Sequence, residues 1–156
     1  MNFESANDVR SVVRKFENRT LSKEEWTHAA HLSVGLYYLT RLPFAVAKNV
    51  MRDGIVWLND AHGTPNTDDS GYHETLTVFW LKRIWNFIDS RPESSDLATL
   101  ANELLALYND PHYPLGYYSR GLLFSPAARR DYYPPDLHLR PAIAFPITLA
   151  ILKPLI

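Results

Sequence analysis

The sequence contains no cysteine. Disulfides, thiolate nucleophiles and sulfur-ligated zinc are excluded together, so any metal site must be built from imidazole, carboxylate and water. A charge excess is missing as well: 16 Lys and Arg face 17 Asp and Glu, a formal net charge of -1, with no basic block and no acidic tail. That balance gives no electrostatic case for nucleic acid or an anionic membrane as partner. No uncharged run is long enough to span a bilayer, because Pro146, Lys153 and Pro154 interrupt the apolar stretch after Pro141. Met1-Asn2-Phe3-Glu4-Ser5 lacks the basic region and apolar run of a secretory signal, so a cytoplasmic protein is expected. Alternation of β-branched residues is absent, which argues against a sheet. Proline is scarce early on: Pro43, Pro65 and Pro92 are the only three of eleven before Asp110.

The chain should therefore be an all-α, single-domain helical bundle of about five main helices, occupying residues 1–138. An irregular, proline-rich wrap closes it. The tail 139–156 is apolar and broken by proline, and is expected to pack on the core or on the second subunit of a homodimer. A first helix is predicted over Ser5–Asn18, with Val9, Val12, Val13 and Phe16 at helical spacing. A second should start after Ser22, where Ser22 and Glu25 form a capping-box pattern, and run to about Thr40. The third is expected over Pro43–Gly63, the fourth over Tyr72–Ser90, and the fifth over Asp96–Tyr108 after a Ser94-Ser95 cap. Ser125-Pro126 reads as cap and first-turn proline of a short helix, Ala127–Asp131.

Histidine placement is the strongest pointer to a site. His28 and His31 open the second helix, His73 and Glu74 open the fourth, and His62 ends the third. Short connections imply up-down-up order, which brings all five residues to one end of the bundle. His28 and His31 are three residues apart and share a stripe with Leu32, Gly35 and Leu39; His73 shares one with Thr77, Trp80, Ile84 and Ile88. Both stripes should face inward. Helix N-termini and partial burial each disfavour imidazolium, so the rings should be neutral near pH 7.

Three readings stand. His28, His31 and His73 hold a divalent metal, zinc or iron, with Glu74 as ligand or base and Tyr72 as the second catalytic residue. Alternatively the histidines bind, or exchange protons with, an organic ligand without metal. Or they are satisfied polar residues that pin helix ends. The HxxH spacing lacks the HExxH pattern of zinc proteases; the convergence of two helix starts carries the argument. His62, ahead of Gly63, also reads as a helix C-terminal cap, and His112 and His138 as loop residues.

A second constellation runs from Tyr117-Tyr118-Ser119 to Ser125 and Arg129. A capped helix start and an arginine fork one turn in suit an oxyanion, so Tyr118, Ser125 and Arg129, with Trp80, are expected to hold an anionic small-molecule substrate. The competing reading is an ordinary capped helix with a paired arginine.

His28-Ala29-Ala30-His31-Leu32, Gly71-Tyr72-His73-Glu74-Thr75-Leu76-Thr77 with Trp80, Tyr118-Ser119, Ser125, Ala128-Arg129 and Pro135-Asp136-Leu137, in that order, resemble an uncharacterised family of small bacterial helical proteins. The resemblance covers about Leu21 to Leu137 and implies a bacterial, cytoplasmic, single-domain protein in which both constellations belong together. It carries no established activity. The expected function is a small-molecule enzyme with a histidine-lined pocket, performing metal-assisted hydrolysis or group transfer on an anionic substrate. The alternative is a metal-free ligand-binding or interaction protein with a structural histidine cluster.

Overall fold

A computed structural model describes residues 1–137; the tail 139–156 lies outside the described residues. Five main helices form the bundle: α1 (Ala6–Glu17), α2 (His28–Leu39), α3 (Phe44–Ala61), α4 (Glu74–Asp89) and α5 (Leu97–Tyr108). A 3-10 turn (Tyr113–Gly116) and two short helices, α6 (Arg120–Leu123) and α7 (Pro126–Arg130), follow. The fold is all-α, and no strand occurs among the described residues. None of the described helices is long and apolar enough to cross a membrane.

The near-uniform apolar character of α2 places it at the centre, packed on α1, α3, α4 and α5. Nine of its twelve residues are buried, so it has no solvent face to speak of. Helices α2 and α4 run parallel, as up-down-up order requires. His28 and His31 at the start of α2 share a cavity with His73 at the start of α4. One turn on, Gly35 leaves room for the Ile84 side chain of α4, whose Cδ1 a Cβ there would meet at 2.9 Å. Helix α3 runs antiparallel to α4. Phe44 at its start meets Trp85 near the far end of α4, ring centroids 6.1 Å apart. Asn59 near its end is tied through Asn66 to Tyr72, just before α4.

Three helix starts differ from expectation, each because a nearer cap wins. The Ser22–Glu25 box forms, with Glu25 Oε2 accepting from Ser22 N–H at 3.0 Å, but it closes a single turn. Thr27 is extended, its hydroxyl oxygen accepts from Ala30 N–H at 3.3 Å, and α2 begins at His28. Asp96, not Ser94-Ser95, caps α5, its carboxylate accepting from the N–H groups of Ala98 and Thr99. Helix α4 starts two residues later than expected. His73 is its N-cap, in extended conformation at φ -143°, and its Nδ1 accepts from Leu76 N–H at 3.3 Å. That change decides the site.

Candidate functional site

A cavity of about 330 Å³ lies between the starts of α2 and α4 and the middle of α3. It falls at the lower end of the range for small-molecule sites. His28 and His31 come from α2, Met51 and Ile55 from α3. Tyr72, His73, Leu76, Thr77 and Trp80 enter from α4 and the loop before it. The wall contains no Asp, Glu, Lys or Arg. Sequence spacing thus brings His28, His31, His73, Tyr72 and Trp80 together. It misses Met51 and Ile55, although Lys48, Met51 and Ile55, spaced by three and four residues, share the face of α3 that meets α4.

Backbone carbonyls fix the ring protons. His28 Nε2 lies 3.0 Å from the Tyr108 carbonyl and His31 Nδ1 lies 2.8 Å from the Thr27 carbonyl. A carbonyl only accepts, so each of these nitrogens carries the hydrogen. The partner nitrogen in each neutral ring, His28 Nδ1 and His31 Nε2, then presents a lone pair, and neither has a protein partner among the described residues. No fully buried side-chain nitrogen or oxygen lacks a hydrogen bond there, so both lone pairs are reached by solvent. Trp26 stacks on His31 at 3.7 Å between centroids, and Trp80 tilts against His28 at 4.7 Å.

Burial, which penalises the cation, pushes the His31 imidazole down to about 4; its bond to Thr27 opposes this and neighbouring His28 reinforces it. His28 is lowered by the same cause, against the Tyr108 carbonyl and Asp110. Both rings are neutral near pH 7, as expected from their position.

His73, the third residue of the expected metal triad, has both ring nitrogens bonded within the fold. Its Nε2 donates to the Leu123 carbonyl at 2.8 Å while its Nδ1 accepts the capping bond from Leu76. Both nitrogens are engaged, so the ring cannot offer a lone pair to an ion without uncapping α4. Glu74 is 7% exposed and also engaged. Its Oε2 accepts from the Tyr72 hydroxyl at 2.6 Å, and its Oε1 faces Lys48 Nζ at 3.4 Å. Burial and this carboxylate raise the Tyr72 pKa, so the phenol stays protonated. Among the described residues no three His, Cys, Asp or Glu side chains are grouped to hold a metal ion. His62 binds the Leu21 carbonyl through Nε2 at 2.7 Å, fastening the loop before α2. His112 is exposed beside Asp110.

The second constellation is structural throughout. Tyr118 is 1% exposed and its hydroxyl donates to the Tyr133 carbonyl at 3.0 Å. Ser125 caps α7, accepting from Ala128 N–H at 3.1 Å while donating to the Leu122 carbonyl at 2.8 Å. Arg129 donates from Nη1 to the carbonyls of Gly71 and Tyr72, at 3.0 and 3.1 Å. It thereby holds the turn that delivers His73 to α4. Gly71, at φ +74°, is required there, since a Cβ would sit 2.7 Å from the Pro65 carbonyl oxygen. Tyr118, Ser125 and Arg129 are absent from the cavity wall. Tyr118, Ser125 and Arg129 thus hold neighbouring backbone in place, and of the four expected substrate-binding residues Trp80 alone lines this cavity.

The fold and cavity define an all-α bundle with a neutral, histidine-bearing pocket. Compared with protein-family models, with curated proteins and with solved structures, the chain matches none.

Proposed function

We propose that this protein binds a small molecule in the cavity between α2, α3 and α4, without a metal, and that His28 and His31 meet it as neutral imidazoles. The observation that carries this reading is the unequal engagement of the three histidines. His73 has both nitrogens bonded within the fold, whereas His28 and His31, which line the cavity, each have one nitrogen that no described residue engages. Two fixed-tautomer imidazoles can accept a hydrogen bond or, in an enzyme, take a proton as general base. Zinc or iron would find only these two nitrogens free, short of the three protein ligands usual for a catalytic zinc.

Two measurements test the proposal. Calorimetric titration of tag-free protein with zinc should show no stoichiometric uptake at micromolar concentration. Titration with phenol should shift the Trp80 indole and His31 ring resonances together. One-to-one zinc binding that disappears in both His28→Ala and His31→Ala would overturn the metal-free reading and establish a metal site at these histidines.

A further inference from the structure

We infer that the cavity selects a neutral, largely apolar molecule by its hydrogen-bond donors, using His28 Nδ1 and His31 Nε2 as acceptors. The inference rests on the reading of this cavity as the ligand site and specifies what that site takes.

The polar groups on the wall set the preference. His28 and His31 line the wall, and with their hydrogens held by the Tyr108 and Thr27 carbonyls each has one acceptor nitrogen that no described residue engages. The Thr77 hydroxyl gives its hydrogen to the His73 carbonyl at 2.9 Å, and the Tyr72 hydroxyl gives its own to Glu74, so both oxygens are left as acceptors. Trp80 contributes the one wall side-chain N–H that no described residue takes up. The remaining side chains, Leu32, Met51, Ile55, Leu76, Leu81 and Ile84, are apolar. An anion here would face lone pairs and no cation. A cation would leave water for a wall with no carboxylate, because Glu74 stands behind Tyr72 and is paired with Lys48. A neutral molecule with two O–H or N–H donors satisfies both imidazoles and buries its remaining surface against the apolar side chains. One lacking donors leaves two desolvated acceptors unpaired, the costlier outcome.

The test uses resorcinol, its dimethyl ether 1,3-dimethoxybenzene, benzoate and benzylammonium, in the presence of EDTA. Resorcinol's meta hydroxyls do not chelate, so a preference for it does not report a metal. Binding is followed by the Trp80 indole and His31 ring resonances of the full chain. Resorcinol should bind at least tenfold tighter than each of the other three. His31→Phe, which keeps a ring against Trp26, should reduce the preference over the dimethyl ether to threefold or less. Equal or tighter binding of the ether or benzoate, or an unchanged preference in His31→Phe, overturns the donor rule while leaving the cavity as a ligand site. If none of the four probes perturbs the Trp80 indole, the cavity reading itself fails, and the donor rule with it.

Discussion

The two sides of the start of α4 both carry polar side chains, in opposite states of engagement. On the α2 side, His28 and His31 each bond once and keep a lone pair. On the α7 side, the Ser125 hydroxyl both donates and accepts, Tyr118 donates to Tyr133, and Arg129 bridges two carbonyls. Thr75 does the same, its hydroxyl donating to the Asp131 carbonyl and accepting from Tyr133 N–H. The contrast teaches that a polar motif becomes a candidate site only where hydrogen-bonding capacity is left over. His73 sits on the boundary: it touches the cavity, yet both its nitrogens belong to the clamp.

The largest effect expected is on the clamp. Arg129→Ala removes the donor shared by the Gly71 and Tyr72 carbonyls and should destabilise the protein by about 3 kcal/mol, as for a hydrogen-bonded charge. Urea unfolding checks it. If Arg129 instead held an anionic ligand, stability would be little changed and ligand binding would vanish, erasing the contrast between the two sides.

His73→Ala comes next. It loses the cap on α4 and the bond to Leu123, together about 2 kcal/mol. Binding of phenol should weaken no more than the lost stability explains. A variant as stable as the wild type but unable to bind would return His73 to the binding set.

These two residues also mark what could be read from the sequence. Helical stripes on α1, α3, α4 and α5 were legible because burial repeats every three to four residues, α2 was legible as an apolar run, and parallel α2 and α4 followed from short connections. So did the meeting of His28, His31 and His73 at one end. Capping was not legible to within two residues: whether His73 lies inside the helix or caps it depends on the Gly71 turn, held by Asn66 nearby and by Arg129 nearly sixty positions away. The engagement of the rings was hidden for a similar reason. Their partners are the carbonyls of Tyr108, Thr27 and Leu123, and a backbone carbonyl has no signature in sequence. Lys48, the partner of Glu74, was missed although it shares a helix face with Met51 and Ile55.

Tyr118→Phe probes the clamp more gently. It removes one hydrogen bond to Tyr133 and leaves the packed ring against Phe79, centroids 5.7 Å apart, so about 1 kcal/mol should be lost. Phenol binding should be unchanged. Weaker binding at unchanged stability would place Tyr118 with the ligand rather than with the fold.

The smallest effect at neutral pH is expected for His31→Phe. The ring against Trp26 is kept, and the Thr27 carbonyl still accepts from the residue 31 backbone N–H at 3.1 Å. The lost Nδ1 bond is offset by an apolar ring in a buried place, so stability at pH 7.5 should change by less than about 0.5 kcal/mol. Acid then separates the two proteins. His31 titrates near 4 in the fold against an ordinary 6.5, so below 6.5 the unfolded chain takes up the proton first. The stability that His31 contributes is therefore complete above about pH 6.5 and drains away as pH falls toward 4. The phenylalanine variant lacks this loss and should become the more stable protein across that window. His28 and His73, also lowered by burial, give losses of the same sign that remain in both chains, so the difference between the two melting curves isolates His31. Melting temperatures that stay parallel from pH 8 to pH 4 would mean that His31 titrates like a solvated imidazole, and the cavity side would lose the burial that makes an unpaired acceptor there select its ligand.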